Sequence, residues 1–328
     1  MKLRINACLG IQGASYSERY VPEGYHDDME FEEYLREVSK VKDVTGHFVY
    51  YPGHPLIDSP EKLKKKLADH NSVVSDIGAV TWPDRKFKYG TLTSKDKKVR
   101  KETVDIIKHT MDLAAELDAH SVLIWPAHDG MDYVFQADFA GAWDYLIESL
   151  EEIGEHNPDV KIAVEYKQKD PRAKCYIEDV GKLMYIIKSL KAQNIGAALD
   201  LGHAFLAGER PAETLEILSR EEKLYQIHLN DNYRDADPDL LFGTINFWDT
   251  LEFFYWLAKT DYDGWMHTDF VSPRDDRMKM FRLVVKTIRD FEDMASKLME
   301  HSDTIDKNLK DHNFVDNMDL VKKLIFNK

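Results

Sequence analysis

Short apolar runs recur along the chain, and between them lie longer stretches whose apolar residues return every three or four positions. The runs read as strands: Leu3 to Cys8, Gly46 to Tyr51, Val73 to Thr81, Ser121 to Trp125, Lys161 to Tyr166, Ile195 to Leu199, Leu224 to Leu229 and Trp265 to Phe270. The stretches between them read as helices, for example Lys97 to Leu117 with Val104, Ile107, Met111 and Ala114, and Phe139 to His156 with Trp143, Leu146, Ile147, Leu150 and Ile153. Each strand is followed by a helix. Eight such units with no change of composition predict one α/β domain, a closed (β/α)8 or TIM barrel, because the alternating order favours parallel strands joined by right-handed crossovers. An open doubly wound sheet fits less well, since Cys8-Leu9-Gly10-Ile11-Gln12-Gly13, after the first strand, lacks the GxGxxG spacing of a phosphate turn.

The barrel is expected to occupy residues 1–298, ending in a helix from about Asp275 to Leu298. Residues 299–328 form a short C-terminal helical extension, in which Val315, Met318, Leu320, Val321, Leu324 and Ile325 return near helical spacing. That apolar face needs a partner, either its own barrel or a neighbouring subunit, and the expected assembly is a homodimer or homotetramer. The longest loops follow the first, third and seventh strands, at Gln12 to Asp28, Trp82 to Lys95 and Asp231 to Asn246. In a barrel such loops rim the face that carries the chemistry.

Composition removes whole classes of partner. Of 328 residues, 43% are hydrophobic, enough for one large core, and 44 Lys and Arg stand against 59 Asp and Glu, a net charge of -15. Neutralising phosphates needs clustered basic side chains, so neither nucleic acid nor an anionic membrane is an expected partner; a small neutral substrate fits better. Cys8 and Cys175 cannot build a disulfide framework. No basic-apolar leader is visible, and no run approaches the ~18 apolar residues of a membrane span, so the expectation is a soluble, cytoplasmic protein.

Four of the apolar runs end in an acid or an imidazole: Glu165, Asp200, His228 and Asp269, from the fifth, sixth, seventh and eighth strands. Those strands are neighbours in a closed barrel, and side chains at their carboxyl ends can meet on one ion without help from a flexible loop. Taken singly, each could be a helix cap or a satisfied polar group. Three converging carboxylates would repel one another without a cation, so the four read together as metal ligands. His203 lies three residues past Asp200, and Asp235, Asp237 and Asp239 alternate in the loop after the seventh strand. Residues two apart in extended backbone point the same way, so Asp237 and Asp239 can face a second ion, with Asp200 bridging and His203 completing the set. Five carboxylates would then offset the four positive charges of two divalent cations. A solvated turn is the competing reading of the aspartate run. Oxygen-rich ligation with two imidazoles favours Mn, Mg or Co over a soft-ligand zinc site.

These residues sit in segments that resemble the xylose isomerases and, in ligand identity, the L-rhamnose isomerases. Glu165-Tyr166-Lys167-Gln168-Lys169-Asp170-Pro171-Arg172 is similar to the family's E-P-K-P-N-E-P-R, and Leu201-Gly202-His203 resembles its E-V-G-H segment. Leu224 to Asn230 resembles L-F-H-I-D-L-N, Asp237 to Gly243 resembles D-x-D-L-x-F-G, and His267-Thr268-Asp269-Phe270 with Pro273-Arg274 resembles H-F-D-F-x-P-P-R. The resemblance covers about Ser72 to Arg274. Xylose isomerases carry Glu where this chain has Asp200 and Asp where it has His228; Glu165, Asp200, His228 and Asp269 with His203 is the rhamnose isomerase pattern. It implies a two-metal aldose-ketose isomerase acting on a small monosaccharide by hydride shift, with Lys167 as the donor to O1. Lys167, His54 and Asp269 are the catalytic candidates, His54 standing in the second-strand loop where the family keeps a ring-opening histidine. Trp82 and Trp125 would wall the C-H faces of the sugar, and His128 would bind its hydroxyls.

Two other activities share the barrel. A ketose 3-epimerase uses one metal and two glutamates, whereas this chain ends the set in the shorter Asp269 and adds outer-site residues. An abasic-site endonuclease would need basic phosphate-binding residues. A catalytically silent sugar-binding barrel would have lost ligands, yet every expected ligand position is filled.

Overall fold

A computed structural model describes residues 2–18, 20–126, 128–170 and 173–326; Pro171 and Arg172 of the fifth-strand segment lie outside them. All eight apolar runs are strands: β1 Arg4–Cys8, β2 Val44–Tyr51, β3 Val73–Ala79, β4 Val122–Ile124, β5 Ile162–Glu165, β6 Ile195–Asp200, β7 Leu224–His228 and β8 Trp265–His267. They pair in parallel and in sequence order, and β8 closes on β1 with Arg4 opposite Trp265 and Asn6 opposite His267. The structure is a (β/α)8 barrel.

Helices return the chain between strands: α1 Phe31–Val38, α2 Pro60–Ala68, α3 Lys97–Glu116, α4 Phe139–His156, α5 Val180–Ser189, then α6 Leu201–Leu206 and α7 Pro211–Arg220 between β6 and β7, and α8 Phe247–Leu257 between β7 and β8. Asp96, Asp138 and Asp179 cap α3, α4 and α5 by accepting from backbone N–H groups of the first turn, which starts each helix cleanly. Most of the core lies between strands and helices, as in Ile107, Leu146, Ile186 and Leu215. A second, smaller core fills the barrel itself with Cys8, Phe48, Leu123, Ala163, Ala198 and Tyr225. Side chains two apart on a strand share a face, so the inward positions of Ala163 and Ala198 place Glu165 and Asp200 one layer higher on the same face.

After β8, α9 Arg277–Met299 leads into α10 Ser302–Lys310 and α11 Phe314–Phe326. The tail folds back on its own chain: Ile305 is buried, Leu320, Val321, Leu324 and Ile325 pack against the core, and Phe326 lies edge-on to Trp248 of α8. That cover explains why α8, Phe-Trp-Asp-Thr-Leu-Glu-Phe-Phe-Tyr-Trp-Leu, is apolar almost all round. Among the described residues, no helix is long and apolar enough to cross a membrane.

One element carries no sequence pattern. Gly130–Met131, Ala173–Cys175 and Lys169–Asp170 form a three-stranded antiparallel sheet that ties the loop after β4 to the loop after β5. Beside it, Asp129 is 1% exposed and binds the loop after β3, accepting from the N–H groups of Thr91 (2.9 Å) and Thr93 (2.7 Å) and from both threonine hydroxyls. Asp129→Ala strands two buried amide donors, so we expect a loss of about 3 kcal/mol in urea unfolding. An unchanged midpoint would show that water replaces the carboxylate.

Candidate metal and substrate site

Glu165, Asp200 and His228 are the last residues of β5, β6 and β7, and Asp269 lies two residues past the end of β8. Strand register sets Asp200 against His228 and His228 against His267, while Glu165 stands opposite Ala198, two residues before Asp200, so the ligands step across neighbouring strand ends of this half of the barrel mouth. One ligand atom from each of Glu165, Asp200, His228 and Asp269 falls within 4.8 Å of all the others. His228 Nδ1 faces Asp269 Oδ2 at 3.3 Å, Glu165 Oε1 at 3.4 Å and Asp200 Oδ2 at 4.0 Å, yet it makes no aligned hydrogen bond. A buried, unpartnered ring nitrogen aimed into three carboxylates is the donor set a divalent cation requires. The residues present fit the group.

Electrostatics agree. Burial pushes the Asp200 carboxyl above its ordinary range, with Glu165, Asp237 and Asp269 adding to the rise against the opposing pull of His203. Burial works against the charged His228, but Glu165 and Asp269 outweigh it and hold the imidazole protonated well above its usual range. Without a cation, the two histidines supply the positive charge that the carboxylates need.

His203 stands beside this set on α6. Its backbone N–H donates to Asp200 Oδ1 at 2.8 Å, Nδ1 lies 3.3 Å from Glu165 Oε1, and Nε2 is 3.0 Å from Asp237 Oδ2. Asn230 donates to the other Asp200 oxygen at 2.7 Å, and a Cβ on Gly202 would overlap Asn230 Oδ1, so glycine is required where that side chain crosses. Lys167 Nζ lies between Asp170 Oδ2 (2.5 Å) and Asp237 Oδ2 (2.9 Å), 5.2 Å from the centre of the Trp125 ring. Asp239 follows Asp237 and Pro238, but its φ of 51° is left-handed, so the extended-backbone argument for a shared direction does not hold. Its carboxyl is buried close enough to Asp237, Asp269 and Asp200 for burial and their charges to raise its pKa well above normal.

A pH dependence follows for the cation-free protein. Burial opposes the charge on His203, but Asp200 and Asp237 lift its pKa from 6.5 to about 10. A raised pKa stabilises the fold fully below the unfolded value and loses that contribution as pH climbs through the folded one. Melting temperature in chelator should therefore fall from pH 7 to pH 10, and the fall should flatten in His203→Gln. Parallel curves for the two proteins would contradict the assignment.

Away from the acids, Tyr50, Trp82 and Trp125 stand in sequence around the mouth, Trp82 with ring centroids 5.9 Å from Tyr50 and 5.1 Å from Trp125. All three are half-buried. Tyr50, Trp82 and His54 line one cavity of about 420 Å³ over the ends of β1, β2 and β3. His54 packs edge-on to Phe31, and its Nδ1 accepts from the Leu56 N–H at 3.2 Å. Both contacts are local to the second-strand loop and α1, away from the acid-imidazole cluster, and burial lowers the His54 pKa to about 4, which keeps it neutral. His128 Nε2–H donates to the Trp82 carbonyl oxygen at 2.7 Å, a contact that fixes the tryptophan.

Sequence reasoning misses several participants. Asn230 and Asn232 brace Asp200 and Asp237, and Gln226 accepts from His228 Nε2–H at 2.9 Å. His267 packs 4.6 Å from the His228 ring, donates from Nδ1 to Asn6 Oδ1 at 2.9 Å, and leaves its buried Nε2 unpartnered. Gln226 and His267 lie two residues before His228 and Asp269, so period-two alternation is the signal that points to them.

A family model described as xylose isomerase-like TIM barrel matches residues 43–290. The xylose isomerase of Thermus thermophilus is 28% identical over 214 residues, covering 63% of this chain and 55% of that protein. The Thermus caldophilus xylose isomerase is 27% identical over 214 residues, with the same coverage of 63% and 55%. The chain thus spans little more than half the length of these relatives. Among solved structures, an L-ribulose 3-epimerase matches with a TM-score of 0.71 at 17% identity, covering 92% of this chain and 98% of that one. A D-tagatose 3-epimerase-like protein matches with a TM-score of 0.66 at 19% identity, over 88% and 99% of the two chains. At such identities these structures speak to the fold alone.

Proposed function

The chain belongs to the xylose isomerase-like TIM barrel family, and from that premise we propose that it is a divalent-metal-dependent aldose-ketose isomerase of small sugars. The observation that carries the reading is the convergence of Glu165, Asp200, His228 and Asp269 on one point, with His203, Asp237 and Lys167 bonded together beside it. Glu165, Asp200, His228 and Asp269 would hold the inner cation, and Asp200, His203, Asp237 and Asp239 an outer one, Mn, Mg or Co in each case. Such cations supply Lewis-acid polarisation of the carbonyl and anchor points for hydroxyls.

The chain's own groups do the rest. Aldose-to-ketose conversion moves the hydrogen of C2 with its electron pair to C1, takes the proton from O2 and returns one to O1. Lys167 places a positive donor where charge gathers on O1. Burial opposes that charge, but Asp237 and Asp170 more than offset it and keep the amine protonated. Trp82 and Trp125 form an apolar wall that orients the C-H faces and keeps bulk water from the migrating hydrogen. His54, neutral at physiological pH and lining one cavity with Tyr50 and Trp82, is assigned to ring opening.

The test is a panel of aldoses and ketoses incubated with purified protein and Mn, read by chromatography. Aldose-ketose interconversion that stops on chelation and returns with metal is expected. Ketoses epimerised at C3 as the sole products, or no turnover together with no cation binding, would overturn the proposal.

A further inference from the structure

Beneath the candidate site, inside the barrel, a chain of buried polar side chains runs from β3 to β7. Ser121 Oγ donates to Asp76 Oδ1 at 2.7 Å, Gln226 Nε2 donates to Ser121 Oγ at 2.8 Å and reaches Asp76 Oδ1 at 3.4 Å, and Gln226 Oε1 meets His228 Nε2 at 2.9 Å. Asp76, Ser121, Gln226 and His228 are all at most 2% exposed, so water does not compete for these bonds. An amide oxygen can only accept, so the proton shared with it sits on His228 Nε2. The lone pair of the neutral ring is then confined to Nδ1, the atom that faces Asp269, Glu165 and Asp200. Turning the Gln226 amide over would set its oxygen against the Asp76 carboxylate and its NH2 against His228, so Asp76 fixes which way the amide points.

We infer that Gln226, oriented by Asp76 and Ser121, is a positioning residue that selects Nδ1 of His228 as the metal-ligating nitrogen. The inference rests on the proposed metal-dependent reading of this site, and it assigns a task to residues that touch neither ion nor sugar. A structural filler at position 226 would need shape; this role needs an acceptor aimed at His228.

Two variants separate those demands. Gln226→Met keeps the volume and removes the acceptor. The double variant Gln226→Glu with Asp76→Asn exchanges amide and carboxylate along the chain and keeps every contact. Mn affinity is measured calorimetrically on metal-stripped full-length protein, and the His228 tautomer by long-range nitrogen-proton NMR on the Mg-loaded protein. Gln226→Met should bind Mn ~10–100-fold more weakly, the loss typical of an outer-shell partner, and should populate the Nδ1–H form. The double variant should bind within about threefold of the parent, with the proton on Nε2, as the same outer-shell argument requires. Parental affinity and tautomer in Gln226→Met would overturn the inference, as would equal losses in both variants with the tautomer unchanged. If Gln226→Met does not fold, the double variant decides alone: a weakened site with the proton still on Nε2 refutes the role. Absence of Mn binding by the parent protein would instead refute the metal-dependent reading itself.

Discussion

Glu165→Gln is expected to abolish tight divalent-cation binding and to lower sugar turnover by more than the ~10–100-fold that outer-shell changes cost. Glu165 Oε1 lies 3.4 Å from His228 Nδ1 and 3.3 Å from His203 Nδ1, so a single oxygen of this carboxylate faces both imidazoles. A neutral amide at that point keeps the shape and removes one negative charge from a set balanced against a dication. The effect has two signatures. Calorimetry should detect no tight Mn binding, and the rise in melting temperature that ligand binding gives the parent protein should disappear. The cation-free variant should remain folded, because its core is unchanged. A variant that binds Mn as tightly as the parent would remove Glu165 from the ligand set.

Lys167→Met is expected to separate catalysis from cation binding. Removing a preorganised donor to a developing oxyanion typically costs ~10²–10³ in turnover. The same change deletes the cation that now sits 2.9 Å from Asp237 Oδ2. Asp237 thereby loses a competitor for its charge, so Mn affinity should hold or rise while kcat falls. Steady-state kinetics together with a Mn titration checks both halves. A variant that loses cation binding and turnover in proportion would make Lys167 a structural counter-charge and leave O1 without its donor.

Much of this arrangement is legible from sequence because barrels translate strand order directly into space. Each strand end has to be buried and apolar, so Glu165, Asp200, His228 and Asp269 stand out as charges at the limits of apolar runs, and the closed barrel brings them within 4.8 Å. What escapes is set by contacts with no sequence period. The sheet of Gly130–Met131, Lys169–Asp170 and Ala173–Cys175 has strands of two or three residues, too short to alternate. Extended backbone predicts a shared direction for Asp237 and Asp239, but a left-handed turn after Pro238 governs the second of them. His128 is expected to contact substrate; its Nε2–H donates to the Trp82 carbonyl, a partner 46 residues away that no sequence period announces. Gln226 and Asn230 look like ordinary strand-end polar residues until their partners across the barrel are known. The tail's apolar face signals a partner without saying which; its own α8 and α9 supply one in this structure.

The most direct test of the account is isomerisation in deuterium oxide followed by NMR of the recovered sugars. A direct transfer between C2 and C1 inside a water-excluding site predicts that the migrating hydrogen is retained, with no deuterium at C1 of the ketose or C2 of the aldose. Deuterium at either position would mean that a base passes the proton through solvent, and deuterium at C3 of a ketose would mean epimerisation; each result contradicts the hydride-shift isomerase proposed for this site.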